Sequence, residues 1–135
     1  MADLSITAAN VLPGAGAVTE DGLAGATITA GQAVYRDTDN SYKLADADAA
    51  SALIRTARGI ALNGAAAGQP LKIQKSGEIT IGATLTGGTT YYLSGAAGGI
   101  CPLADVGTGE YFHIVGIAKS TTVMLLALAY SGVSG

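Results

Sequence analysis

The chain has 135 residues, 13% of them charged, with seven Lys and Arg against ten Asp and Glu for a formal net charge of −3. That length fits one domain with a sizeable core, so neither a disulfide nor a structural metal is required for stability. The acidic balance and the scatter of the basic residues argue against a duplex-binding role, which needs clustered Lys and Arg to neutralise phosphates, while so low a charge leaves much of the surface free to touch other protein.

In chain order, Met1-Ala2-Asp3-Leu4 lacks the basic segment and apolar stretch of a secretory signal, so none is expected. Leu4-Ser5-Ile6-Thr7 alternates like a strand, whereas Val11 to Gly25 is too Gly-rich to hold structure on its own. Residues 1–25 therefore read as an N-terminal arm followed by a Gly-rich linker. The arm, Asp3 to Leu12, suits addition either to the sheet edge of a neighbour or to an edge of its own domain. Residues 26–135 read as a single β domain.

Within that domain Ala26 to Ile28 leads through Ala30-Gly31-Gln32 into the strand Ala33-Val34-Tyr35-Arg36. Asp37-Thr38-Asp39-Asn40-Ser41 supplies turn-forming side chains, and Tyr42-Lys43-Leu44 returns as the hairpin partner. Asp46 to Ile54 places good helix formers behind an Asp suited to cap them, which predicts one short helix before a strand over Thr56–Leu62. Leu71 to Lys75 and Glu78 to Ile81 alternate in apolar character around Ser76-Gly77, which predicts a hairpin. Lys72 and Lys75 read as its solvated face. Tyr91-Tyr92-Leu93, the turn Ser94–Gly99 and the return Ile100–Leu103 form the next hairpin, followed by strands over Glu110–Ala118 and Val123–Tyr130. The last run is too short to cross a bilayer as a helix and reads as a buried strand, so no membrane partner is expected.

Catalytic chemistry is poorly supplied, and the sequence reads as a non-enzyme with no catalytic, cofactor or metal residues. The one histidine, His113, alternates with Phe112 and Ile114 in a strand and reads as structural. Asp37-x-Asp39-x-Ser41 lacks the glycine and the distal glutamate of a calcium loop, and Asp46 and Asp48 are explained by capping. Gly14-Ala15-Gly16 and Gly95–Gly99 lack the Lys-Ser or Lys-Thr of a phosphate-binding loop, and Ser94 lies outside a nucleophile elbow. The lone Cys101 has no disulfide partner and reads as a small buried filler. Tyr91 and Tyr92 are adjacent, so a strand sends one inward and leaves a single aromatic platform for a glycan.

The chain also matches itself. Ala26-Thr27-Ile28-Thr29-Ala30-Gly31 aligns with Ala83-Thr84-Leu85-Thr86-Gly87-Gly88, Leu44-Ala45-Asp46 with Leu103-Ala104-Asp105, and Gly59-Ile60-Ala61 with Gly116-Ile117-Ala118, in the same order and at a spacing close to 57. This predicts one supersecondary unit used twice, over about 26–66 and 83–123, with the halves packed face to face. The expected fold is all-β: a small barrel, β-tulip or sandwich built from that duplication, with one short helix and an extended arm.

Ala-Gly-Gln-x-Val-Tyr over Ala30–Tyr35, Leu-Ala-Asp-Ala over Leu44–Ala47, Gly-Ile-Ala-Leu over Gly59–Leu62 and Ala-Ala-Gly-Gln over Ala66–Gln69 together resemble small bacteriophage capsid decoration (cement) proteins. Tyr91 to Ser94, Gly98 to Ile100 and Val115 to Ala118 are similar to modules of phage head and tail fibre proteins. The resemblance covers most of the chain from about Ala24 onward. It implies a β-barrel or β-tulip on the outer capsid surface of a virion assembled in the host cytoplasm, often as a homotrimer, clamping neighbouring copies of the major capsid protein, with no cofactor. On that expectation the arm makes the capsid or inter-subunit contact through Leu4, Ile6, Val11 and Leu12. The alternative is a fibre domain that binds a receptor or glycan through Tyr91 or Tyr92.

Overall fold

The computed structural model describes residues 3–135. Among them the fold is all-β, with ten strands in one mixed sheet: β1 Leu12–Pro13, β2 Val18–Ala24, β3 Ala33–Arg36, β4 Ser41–Leu44, β5 Gly59–Ala61, β6 Pro70–Thr80, β7 Thr90–Leu93, β8 Ile100–Pro102, β9 Tyr111–Ala118 and β10 Val123–Ser134. Two 3-10 turns, Ala8–Asn10 and Leu103–Asp105, are the only helical segments described. The strand order is β2-β4-β3-β5-β6-β10-β9-β7-β8, with β1 added to β6. Only β2 and β4 run parallel to each other. Because β2 also pairs with β6, the strands β2, β4, β3, β5 and β6 close a partial ring.

Alternation along the ring strands feeds two cores. Ala24, Val34, Tyr42, Ala61, Leu71 and Ile73, drawn from all five ring strands, pack together with Ile28 and Ala65 inside the ring. Ala33, Tyr35 and Ile60 point out of it, against Tyr91, Leu93, Ile100, Val115, Met124 and Leu126 from β7 to β10. Residues Ala33–Tyr35 of β3 and all of β5 are thus covered on both faces, which is why they are apolar without a polar alternate, and the charged Arg36 comes only at the exposed end of β3. The turn between β7 and β8 docks on the first half through its backbone: Ala33 N donates to Gly98 O (3.0 Å), Gly98 N to Ala45 O (2.7 Å) and Ala47 N to Ser94 O (3.0 Å).

Backbone contacts recur between the halves. Gly31 N donates to Ala61 O and Gly88 N to Ala118 O, both at 2.8 Å, while Ala61 N donates to Gln32 O and Ala118 N to Thr89 O, both at 2.9 Å. The register repeats as well, Ala33 opposite Ile60 and Val34 opposite Gly59 in one half, Thr90 opposite Ile117 and Tyr91 opposite Gly116 in the other. Every residue in these pairs of contacts lies 57 positions from its counterpart.

Three local expectations are corrected. No helix forms over Asp46–Ile54. Asp46 does cap a turn, its Oδ1 accepting from Asp48 N at 2.9 Å, but Ala47 commits both backbone groups to the second half, its N donating to Ser94 O and its O accepting from Tyr111 N. The remaining residues are too few to nucleate a stable helix, and they form successive turns. The Gly-rich stretch before Ala26 is not a free linker either. It contains β1 and β2, and β2 pairs with β6 from Val18–Ser76 to Leu23–Pro70. Gly22 serves close approach, since a Cβ there would strike the Tyr42 ring. Finally, Ser76-Gly77 makes no hairpin. Strand β6 runs straight through it, bending where Gly77 takes φ 88° and the pairing with β2 shifts register. The buried Gln74 bridges the bend, its Nε2 donating to Ser76 O (3.0 Å) and Glu78 O (2.7 Å). The bend sends Leu71 and Ile73 to one core and Ile79 and Ile81 to the other.

Candidate interaction surface

Several of the residues that carry charge or reactivity hold the fold together. Glu20, on β2, accepts from Arg58 through two contacts, Nε to Oε1 at 2.6 Å and Nη2 to Oε2 at 2.8 Å, and from the Tyr42 hydroxyl. Lys75 Nζ lies 3.4 Å from Oε2 and Arg36 3.9 Å from Oε1. These donors, the Arg58 bond foremost, hold the Glu20 carboxyl far below the ordinary carboxylate range, while burial and the neighbouring carboxylate push the Tyr42 hydroxyl up to about 12. Lys75 is therefore part of an ion-pair cluster and not simply a solvated lysine. In the turn between β3 and β4, Lys43 Nζ sits 2.6 Å from Asp37 Oδ2, and Asp39 Oδ1 accepts from the Ser41 amide at 2.9 Å. Burial, with Asp3, Asp105 and Glu110 nearby, pushes the Cys101 thiol up to about 12, where a thiolate nucleophile is not formed at neutral pH.

His113 is fully buried on the inner face of β9. Its Nε2 accepts from Ala57 N at 2.9 Å and its Nδ1 lies 2.9 Å from Ile114 O, which fixes the neutral ring with the proton on Nδ1. Tyr130 meets the His113 ring edge-on at 5.8 Å, and Arg55 stacks 3.7 Å from the centre of the Tyr111 ring while donating to the Tyr130 hydroxyl at 3.0 Å. Burial lowers the His113 pKa from 6.5, so the unfolded chain binds the extra proton first as pH falls. This contribution to stability is complete above the unfolded value and declines as pH drops through 6.5 toward the lower folded value. Urea midpoints measured from pH 7.5 down to pH 5 are expected to fall across that window, and His113→Phe to be less stable by about 2 kcal/mol at pH 7.5, with the Ala57 N–H unpaired, yet flatter in its pH dependence. Equal slopes in both proteins would show that the ring does not titrate in this way.

Exposed apolar side chains gather on the outer face of β7, β9 and β10. On β10, Met124 and Leu126 are buried while Leu125 between them is 45% exposed. Leu125 stands opposite Ile117 of β9, which is 42% exposed and stands opposite Thr90 of β7. Farther along, Tyr92, Leu103, Phe112, Ile114, Ala129, Tyr130 and Ser131 line an open groove of about 410 Å³. Tyr92 and Phe112 meet edge-to-face at 6.2 Å and 71°, and Leu103 is 55% exposed at its rim. Large apolar side chains gathered on one open sheet face are what a protein-contact surface needs, and single exposed ones are not.

The residues expected to make contact from the arm are placed differently from this face. Val11 is buried, and Leu4 and Ile6 pack on the larger core, with Leu4 N donating to Ile100 O and Thr7 N to Gly82 O, both at 2.8 Å. Leu12 alone among the four is well exposed, and it lines a groove of about 580 Å³ of mixed character with Thr7, Ala9, Asn10, Ala83 and Thr122. Of the two tyrosines, Tyr91 is buried, its hydroxyl accepting from Thr86 N at 3.0 Å, and Tyr92 belongs to the apolar groove. The signal for the outer face lay in the run Val123–Tyr130, where no polar residue alternates with the apolar ones. Such a strand is apolar on both faces, and this chain covers only one of them.

No protein-family model matches this chain, and no curated protein matches it.

Proposed function

We propose that this protein is a structural subunit of a bacteriophage head, a decoration protein that binds the outside of the shell and braces contacts between major capsid subunits. The observation that carries the reading is the uncovered apolar face of β7, β9 and β10, with Leu103, Ile117 and Leu125 between 42% and 55% exposed. The charged clusters around Glu20 and Asp37, and the buried His113 and Cys101, serve the fold. The sequence resemblance points to the same role, and the backbone contacts that recur at a spacing of 57 fit one hairpin unit used twice. A shell presents one docking site many times, so a modest interface of roughly 800 Å² per partner holds through effective concentration when several copies act together.

In this reading the outer sheet face, and not the arm, meets the shell, because Leu4, Ile6 and Val11 are spent on the chain's own core. The test is co-sedimentation with empty phage heads assembled from a major capsid protein. The wild-type chain is expected to pellet with heads, and the double variant Leu103→Lys, Ile117→Lys to stay in the supernatant while keeping its far-ultraviolet spectrum and thermal midpoint. Undiminished pelleting of that variant would move the contact elsewhere, and failure of the wild-type chain to pellet would remove the proposal.

A further inference from the structure

At one end of the five-strand ring we infer a binding site for a doubly charged oxyanion of the phosphate class, held by Arg36, Arg58 and Lys75. Each ring strand brings one polar side chain there: Glu20 from β2, Arg36 from β3, Tyr42 from β4, Lys75 from β6, and Arg58 from the residue that enters β5. Arg58, Lys75 and Arg36 stand 2.6, 3.4 and 3.9 Å from the Glu20 carboxylate, and all three cations are between 38% and 40% exposed. The carboxylate is saturated. Its roughly four acceptor positions are taken by two bonds from Arg58, one from Tyr42 and one from Lys75. Arg36 lies beyond hydrogen-bond reach of it, so a whole guanidinium fork and part of the Lys75 ammonium are donors left over.

The other half of the chain shows that the backbone plan does not demand charge at these positions. Glu20 and Ala61 stand on either side of Ile73 as Ile79 and Ala118 stand on either side of Met124. Arg36 faces Tyr42 as Leu93 faces Ile100. Arg58 precedes Gly59 as Val115 precedes Gly116, and Lys75 lies two residues beyond Ile73 as Leu126 lies two beyond Met124. The five counterparts, Ile79, Leu93, Ile100, Val115 and Leu126, are apolar and at most 5% exposed. Exposure at the end of the ring accounts for polar side chains in the first half, but not for their sign. Three of the seven basic residues of a chain with net charge −3 gather beside one carboxylate. A local departure from what the same plan uses elsewhere is where function is expected. Three positive charges against one negative leave +2, which a phosphate dianion neutralises, and arginine forks match its oxygens. One such cluster lacks the run of cations that a duplex needs. The inference does not depend on the shell-binding reading.

The test is an amide NMR titration of the purified chain with inorganic phosphate and, separately, with glycerol 3-phosphate, at pH 8 and constant ionic strength set with sodium chloride. Saturable shifts are expected at Glu20, Arg36, Tyr42, Arg58 and Lys75, with a Kd of about 1 mM. Arg36→Met is expected to weaken binding about tenfold. Lys72→Met, which removes an exposed ammonium paired with Asp21, is expected to leave it unchanged. Tighter binding of the ester would assign the site to a phosphorylated molecule, and tighter binding of inorganic phosphate to the free anion. Thermal midpoints identify a variant that has unfolded, and Lys75→Met replaces Arg36→Met if that one has. Saturation by neither probe, or binding that survives undiminished in both Arg36→Met and Lys75→Met, overturns the inference.

Discussion

Gly77→Ala is expected to destabilise the protein by about 4 kcal/mol, the sum of left-handed backbone strain and a steric collision. Gly77 sits at φ 88°, and a Cβ there would run into the backbone of Gly16 and Ala17. Those residues belong to the turn between β1 and β2, which is clasped to β6 by Gly14 N donating to Glu78 O at 2.8 Å and Glu78 N to Ala15 O at 2.9 Å. The substitution therefore strikes both the bend in β6 and the N-terminal strands laid against it. Gly68→Ala separates the two effects. Gly68 has nearly the same φ of 87° but nothing within 4 Å of its would-be Cβ, so strain alone should cost about 1 kcal/mol there. Urea unfolding of both variants makes the comparison. Equal losses would mean that the packing of the Gly14–Gly16 turn on β6 contributes nothing.

The second large effect is expected from Glu20→Gln, at about 2 kcal/mol, or a fall of about 8 °C in the thermal midpoint. The carboxylate takes a two-point contact from Arg58 and the Tyr42 hydroxyl, with Lys75 and Arg36 close by, and its side chain is 20% exposed. Neutralising it leaves three cations gathered around an amide. Arg58 and Lys75 are each 38% exposed, so water screens much of that repulsion and keeps the loss below the value for a fully buried pair. The sign with pH follows from the lowered pKa. Glu20 ionises more readily folded than unfolded, so its contribution is present above the unfolded value of 4.5 and is lost as pH falls from there toward the folded value. Wild-type stability should fall below pH 4.5 more steeply than that of Glu20→Gln, and the two curves should converge in acid. Parallel curves would show that the carboxylate is not the group that titrates.

The strands that were legible in the sequence are those with a local signal. Ala33–Arg36 and Ser41–Leu44 flank an Asp- and Asn-rich turn, Tyr91–Leu93 and Ile100–Pro102 flank a Gly-rich one, and Tyr111–Ala118 is a long apolar run. The elements that were misread depend on distant partners. Val18–Ala24 is a strand because β6 offers it an edge and Arg58 grips Glu20, and neither fact is visible in Val-Thr-Glu-Asp-Gly-Leu-Ala. Ala47 leaves the helix that its neighbours favour because Ser94 and Tyr111 claim its backbone. Ser76-Gly77 has turn chemistry but serves as a bend, since β10 and β1 take up β6 beyond it. The outer apolar face was half legible: Val123–Tyr130 announces a strand apolar on both sides, but only the fold reveals which side the chain leaves open.

The claim that the open face of β7, β9 and β10 is the working surface is tested most directly by hydroxyl-radical footprinting of the free chain against the chain bound to empty heads. Oxidation of Leu103, Ile117 and Leu125 is expected to drop on binding, while that of Leu12 and Leu23, also exposed but on other strands, stays unchanged. Protection of Leu12 with Leu103, Ile117 and Leu125 still fully reactive would contradict it.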